Sequence, residues 1–480
     1  MTQPPTAPPA PPSSPASSAA ASPAPVPPPV PAGTPAPAAP PGRTAWAEGV
    51  YRIRAAVVTE PGRLRTIGAA LAALVVLFGG VTAWQIADRK SSADAVVEHS
   101  QPLSADAARV YRSLADADTT ASSGFLAGGD EREQVRERYE RDIRQASELL
   151  VNAAANSKSS ASAQKQIAIL NRGLPRYTGL VESARANNRQ GLPLGGAYLR
   201  YANEKMRGEL LPAASKLYTA ETARLGGDYD DAKSWPYLAI GAGVLALGGL
   251  VWAQRRNYRR TNRVFNTGLV GATAATLAVL VWLTGGHAMA RAGLAESDEK
   301  GARSLQQLND AWIGTLQARG DENMTLVARG GGATYEESYK KQMTDVAGNG
   351  RGADRGGGGQ LDEALALADD SAGREAVEDA KSAVGEWKKR HAKARDLDDN
   401  GGYEASVDKV IGAKDSTGQS FDEVDRSLEA ASVHEQKQFE EAADGGRGWF
   451  GGLTIGALVL ALAGAATAVW GIGRRLSEYR

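Results

Sequence analysis

Apolar and polar stretches alternate along this chain in a pattern stated twice: an apolar span, a long polar helical stretch, an apolar span, then the same again. The spans are Ile67–Ala87, Tyr237–Ala253, Phe265–Thr284 and Trp449–Ile472, and none carries a charged side chain. At about 20 residues, each is long enough to cross a bilayer core roughly 30 Å thick. Within the first polar stretch, Leu103, Ala107, Val110, Leu114, Ala117 and Ala121 recur at alternating steps of four and three. That spacing marks a helix packed along a coiled-coil seam. Two further runs follow, Ile167, Leu170, Leu174, Tyr177, Val181, Ala184 and then Leu199, Ala202, Met206, Ala213, Leu217, Ala220. Strand signals are nearly missing. The pattern predicts an all-α membrane protein with four transmembrane helices and two tandem four-helix bundles, 88–234 and 286–448, whose outer helices continue the spans.

The second polar stretch repeats the first. Val377, Ala380, Val384, Trp387, His391 and Ala394 match the run Ile167–Ala184 at a uniform offset of 210. Leu126-Ala127-Gly128-Gly129 is echoed by Val327-Ala328-Arg329-Gly330, followed by the pairs Tyr139/Ile143 and Tyr339/Met343. Glycine adopts the left-handed conformation at a helix C-terminus without penalty, so the first helix of each copy is expected to stop near Gly129 or Gly330. The glycine-rich segment 346–360 interrupts the second helix of the second copy. No Gly-Lys-Ser/Thr follows its glycines, so it reads as a surface insertion rather than a phosphate cradle, with a docking or hinge loop as the alternative.

Charge sets the expected topology. Arg43, Arg52, Arg54, Arg63 and Arg65 precede the first span; Arg255, Arg256, Arg259, Arg260 and Arg263 fill the connector 254–264; Arg474, Arg475 and Arg480 follow the fourth span. Basic residues beside spans stay on the cytoplasmic side, so both termini and the connector are expected inside, with 88–234 and 286–448 extracytoplasmic. The protein is therefore expected in the plasma membrane as a multi-pass chain. Residues 1–42, rich in Pro, Ala and Ser, should be a disordered cytoplasmic tail. Residues 43–66 form a basic juxtamembrane segment, and 473–480 a short tail. The first span starts too late and runs too long for a cleaved secretory signal and reads as a signal anchor.

Candidate chemistry is sparse. Cysteine is absent, and the four histidines, His99, His287, His391 and His434, show no metal-ligand spacing. No catalytic, metal-binding, cofactor-binding or nucleic-acid-binding residue is predicted. Absence of intramembrane charge also argues against a transport path. Small residues abound in the spans instead, Gly452 and Gly456 as a GxxxG pair and Gly241, Gly243, Gly248 and Gly249 in the second, which allows close helix contact. Pro175, Pro212 and Gly385 lie inside heptad runs and are candidate hinges; kinks are expected at the two prolines. The connector arginines Arg255, Arg256, Arg259, Arg260 and Arg263 are a candidate cytoplasmic readout, although positive-inside topology and headgroup contact alone account for them. His391, on a seam where the first copy has Val181, is either a pH-sensing group or a core histidine with a satisfied partner.

A bundle flanked by two spans, with Leu126-Ala127-Gly128-Gly129 at the turn, resembles the four-helix-bundle sensor domain of methyl-accepting chemotaxis receptors. The doubled arrangement, with Arg319-Gly320-Asp321-Glu322-Asn323 before Val327-Ala328-Arg329-Gly330, resembles the GlnX-like actinobacterial four-span membrane sensors over roughly residues 43–480. That resemblance implies an amino-acid-binding lipoprotein as outside partner and a soluble Ser/Thr kinase of the PknG type inside. The chain lacks the cytoplasmic methylation helices of chemotaxis receptors. The function expected is non-enzymatic transmembrane signalling, the two bundles pairing within one polypeptide; the alternatives are an envelope scaffold or a transporter accessory subunit.

Overall fold

The computed structural model describes residues 60–156, 160–261, 266–349 and 357–477. The tail 1–42, the juxtamembrane residues up to 59 and part of the 346–360 insertion lie outside them. Every element among the described residues is helical. Helix α1 spans Glu60–Ala95, α2 Gln101–Leu126, α3 Glu133–Asn156, α4 Ala161–Arg189, α5 Leu194–Lys205 and α6 Leu211–Lys233. After α7 (Tyr237–Thr261), the second half runs α8 Thr267–Glu296, α9 Arg303–Val327, α10 Ala333–Ala347, α11 Gln360–Leu367, α12 Ser371–Asp399, α13 Tyr403–Ile411, α14 Thr417–Gly448 and α15 Leu453–Ser477.

The span-bearing helices do not stop where their apolar stretches stop. They form four columns: Gly62–Leu126 and Thr267–Val327, of 65 and 61 residues, run unbroken, whereas Leu194–Arg259 and Thr417–Arg474, of 66 and 58 residues, are interrupted at 234–236 and 449–452. Each contains a segment long and apolar enough to cross a membrane, and only 33% to 39% of each apolar window is buried. The remainder presents large apolar side chains outward, among them Trp84, Leu245 and Ile455, a surface suited to lipid rather than water. Three columns pass through a π-turn, at Val96–Ser100, Met206–Leu210 and Ser297–Ala302. The first and third occupy equivalent places in the two halves. A π-turn carries one extra residue past the seam, which explains a drift after Met206. Ala220, expected on the seam, is half-buried, and Tyr218, Glu221 and Leu225 face inward instead.

The apolar segments pack as a ring in which α1 touches α7 and α15, and α8 touches α7 and α15. Close approach occurs where glycine permits it. A Cβ at Gly268 would overlap the backbone of Gly471, and one at Gly79 would overlap Ala461. Of the expected GxxxG pair, Gly456 does pack, under the ring of Trp282. Gly452 instead has φ +73 and an open surround, in the turn that separates α14 from α15. Gly243 and Gly249 are likewise in contact, whereas Gly241 and Gly248 face open space. The fourth helix thus starts at Leu453 rather than at Trp449.

Beyond the spans, α2, α3, α4 and α5–α6 pack together, as do α9, α10, α11, α12 and α14. A single apolar core runs through both sets, from Ala107 to Ala431. The seam residues Leu114, Leu170, Tyr177, Val384 and Trp387 are fully buried within it. The second half departs from a plain four-helix set in two places, the first being the split of its second helix into α10 and α11. Short helix α13 follows α12, and Val410 on it covers Leu326 and Ala394. At the turn after the first helix, Gly128 (φ +68) takes the left-handed position one residue earlier than expected; its counterpart is Arg329 (φ 42), followed by Gly330 (φ +89). The neck of the 346–360 insertion closes through Asn349 N–H to the Gly357 carbonyl at 3.0 Å. A Cβ on either Gly348 or Gly359 would strike the facing backbone there.

Candidate functional site

The polar groups with most structural consequence lie in the core near the end remote from the spans. In the second half, Arg319 and Glu322 stand one turn apart on α9, and Trp387 and His391 one turn apart on α12. Glu322 accepts hydrogen bonds from Trp387 Nε1 at 3.2 Å to each oxygen and from Thr417 Oγ1 at 2.9 Å, pairs with Arg319, and meets His391 Nδ1 at 2.8 Å. The other imidazole nitrogen lies 3.1 Å from Glu336, and the Tyr339 ring stacks on the imidazole at 3.7 Å. Burial favours the neutral form of each group, but here the partners win. Burial would push His391 down, yet its hydrogen bonds to Glu322 and Glu336 raise it to about 9. Burial would push Glu322 up, yet Arg319 and His391 hold it below the usual carboxylate range. A histidine with a carboxylate on both nitrogens is an imidazolium at neutral pH, so His391 is a satisfied core group.

The first half carries a simpler arrangement at the same height. Asp118 on α2 accepts from Tyr177 Oη at 3.2 Å and from Asn203 Nδ2 at 2.7 Å. Burial raises its carboxyl, and Arg207 counters only in part. Tyr177 and Trp387 occupy equivalent positions, and both are fully buried.

Between the halves, α2 and α9 run side by side in the same direction. Thr119 Oγ1 donates to the Leu316 carbonyl at 3.1 Å, and a Cβ at Gly320 would sit 3.4 Å from that hydroxyl. Asn323 Nδ2 donates to the Thr119 carbonyl at 3.1 Å and to Ser123 Oγ at 2.8 Å. Arg207, in the π-turn before α6, pairs with Asp321. On a neighbouring face, Arg138 of α3 bridges Asp116 of α2 at 2.8 Å and Asp425 of α14 at 2.9 Å, and Asp425 also accepts from Trp312 Nε1 at 2.7 Å. Side chains from both halves therefore form one polar junction.

The residues singled out from sequence lie elsewhere. Arg255 and Arg259 are exposed at the end of α7, and the Arg256 guanidinium lies over Trp252 at 5.4 Å. Arg260 ends the same helix, and Arg263 lies outside the described residues. Pro175 sits inside α4, which continues through it to Arg189. Pro212 opens α6 directly after the π-turn, where the hydrogen-bond ladder already changes register and a missing N–H costs least. Gly385 lies within α12 with open space around it. None of these touches the polar junction. The junction escaped sequence reading because most of its members are polar or charged, whereas periodicity registers only apolar positions; Arg319–Asn323 had drawn notice as a motif, not as a buried run. Among the described residues no group of acidic and histidine side chains is arranged to hold a metal.

No curated protein and no solved structure matches the chain. Residues 92–230 match the family model of the actinobacterial sensor domain, a segment that starts at the end of α1 and closes within α6. The first half of this chain thus carries a sensor domain, and its role is to sense a signal.

Proposed function

We propose that the protein is a non-enzymatic transmembrane signal transducer in which both halves act as one sensor. The carrying observation is mechanical: four helical columns of 58 to 66 residues, two of them unbroken, each join an apolar segment to a single shared core. A helix rises about 1.5 Å per residue and transmits displacement along its axis. Shifts of about 1–2 Å in one column against another are within the known repertoire of switching helices. In this reading the cores of 88–234 and 286–448 face the outside, and the arginines beside the spans fix both termini and the connector in the cytoplasm. The outside signal is amino-acid availability, delivered through a binding lipoprotein. The inside recipient is a soluble Ser/Thr kinase, docked at the exposed Arg255 and Arg259 and their neighbours in the connector. Pro175, Pro212 and Gly385 serve as the points where the helices flex.

A crosslinked pull-down from native membranes, with and without acidic amino acids, tests this reading. Recovery of a binding lipoprotein and a kinase that changes with the amino acid is the expected result. Recovery of envelope or transport proteins alone, indifferent to the amino acid, would replace the transducer with a scaffold.

A further inference from the structure

A cleft of about 770 Å³ opens between the two halves, walled by α2, α3, α9 and α14. Arg112 lies in it with its guanidinium 4.0 Å over the Trp312 ring, and its Nη1 is buried with no hydrogen-bond partner. Burial and the nearby Arg109 push its pKa down to about 10, as expected of a guanidinium short of compensation. Of the carboxylates that act on it, Asp425 is committed and Glu429 is exposed at the cleft. Asp425 serves Trp312 and Arg138, and Arg109 is already paired with Asp106. One turn along α2 from Arg112, Asp116 faces Asp142 of α3, and Asp116 Oδ1 and Asp142 Oδ2 are buried with no donor but each other. Two carboxylates in contact cannot both ionise. Burial, reinforced by Asp116, pushes Asp142 up to about 9, so the pair holds one proton between them at neutral pH.

The two ends of this cleft ask for opposite charges. A purely anionic ligand would satisfy Arg112 and meet Asp116, Asp142, Asp425 and Glu429. A purely cationic one would meet the acid pair, which Arg138 already flanks through Asp116 at 2.8 Å, and would face Arg141, Arg112 and Arg109 as well. Residues one turn apart on a helix stand about 5–6 Å apart at Cβ, a reach that one small molecule spans. We infer that the cleft binds a small zwitterion of the amino-acid class, its carboxylate on Arg112 and its ammonium group in place of the proton shared by Asp116 and Asp142. Binding then releases that proton to solvent, and the ammonium restores the charge that it carried. The ligand touches α2 and α3 of one half and α9 and α14 of the other, so occupancy bears directly on how the halves sit together. The inference rests on the sensor reading above and gives it a direct ligand, one that does not depend on a lipoprotein.

Calorimetric titration of the full chain in nanodiscs tests it, with L-glutamine as the neutral zwitterion, L-glutamate as a zwitterion with one extra carboxylate, succinate as anion and putrescine as cation. Runs in two buffers of different ionisation heat count the protons released. The expected result is zwitterion binding at least about tenfold tighter than either probe of one charge sign, with one proton released near pH 7. Arg112→Gln should weaken binding by about tenfold or more. Asp142→Asn keeps the hydrogen bond to Asp116 and should abolish proton release. Absence of binding by every probe to a protein with intact helicity overturns the inference, as does succinate binding equal to glutamine or full affinity in Arg112→Gln. The pull-down separates the two failures: partners still recovered with an empty cleft would sink this site and leave the transducer standing.

Discussion

The two halves place a large ring at the same buried position, Tyr177 in one and Trp387 in the other, yet hold it by different means. In the first half a single carboxylate, Asp118, accepts from a phenol and an amide. In the second, Glu322 joins Arg319, Trp387, Thr417 and an imidazolium. The backbone plan is kept while the electrostatics change. The first core tolerates loss of its charge, because neutral donors can serve a neutral acceptor. The second cannot, because removing the central carboxylate leaves two cations buried without it. An ionic core of this kind adds little net stability; here it ties α9 to α12 and α14. The first half, which carries the sensor-domain match, holds its ring with one carboxylate and neutral donors alone.

Glu322→Gln is the strongest way to break this contrast. Breaking a buried ion pair from one side costs about 3–5 kcal/mol, against about 1–3 kcal/mol for Asp118→Asn, where one hydrogen-bond arrangement is disturbed. Chemical unfolding of the full chain in detergent measures both, and equal losses would refute the difference between the halves.

The pH dependence sharpens it. His391 is held at about 9 in the folded chain against an ordinary 6.5 when unfolded. Its stabilisation is therefore complete below about pH 6.5 and is lost as pH rises through 9. A shift of that size is worth roughly 3 kcal/mol. Melting of wild type should fall across that window relative to His391→Gln, and parallel curves would show that His391 is neutral. Val181 stands at the equivalent place in the first half and adds nothing to this slope, so the part that disappears in His391→Gln belongs to the second half.

Within the apolar ring, Gly268→Val should destabilise by about 1–3 kcal/mol through overpacking against Gly471, whereas Gly241→Val, facing open space, should leave assembly unchanged. Thermal stability in nanodiscs distinguishes them. The smallest effect is a gain. Gly385 lies mid-helix with nothing within 4 Å of an added Cβ, so Gly385→Ala should stabilise by up to about 1 kcal/mol. If Gly385 flexes during signalling, the same substitution raises the melting temperature and lowers the response.

Much of the fold was legible because one face of each helix is apolar. Positions from Leu103 to Ala121 and from Val377 to Ala394 are buried as their spacing implies, His391 included. The reading failed where a helix is enclosed on all sides. From Ala318 to Val327, α9 is buried at every residue, including Arg319, Asp321, Glu322 and Asn323. Such a run reads as solvent-exposed because its partners come from sequence-distant helices, Asn323 from α2 and Glu322 from α12 and α14. The π-turns were equally hidden, since an inserted residue leaves a heptad pattern only out of phase. Gly452 misled for a related reason: its spacing from Gly456 fits a packing motif, but its positive φ ends a helix.

Hydrogen exchange of the full chain in nanodiscs, comparing wild type with Glu322→Gln, tests most directly whether one shared core makes the two halves a single unit. The account predicts that residues 101–126 and 211–233 of the first half lose protection together with 303–327 of the second. Loss confined to the second half, with the first unchanged, would contradict it.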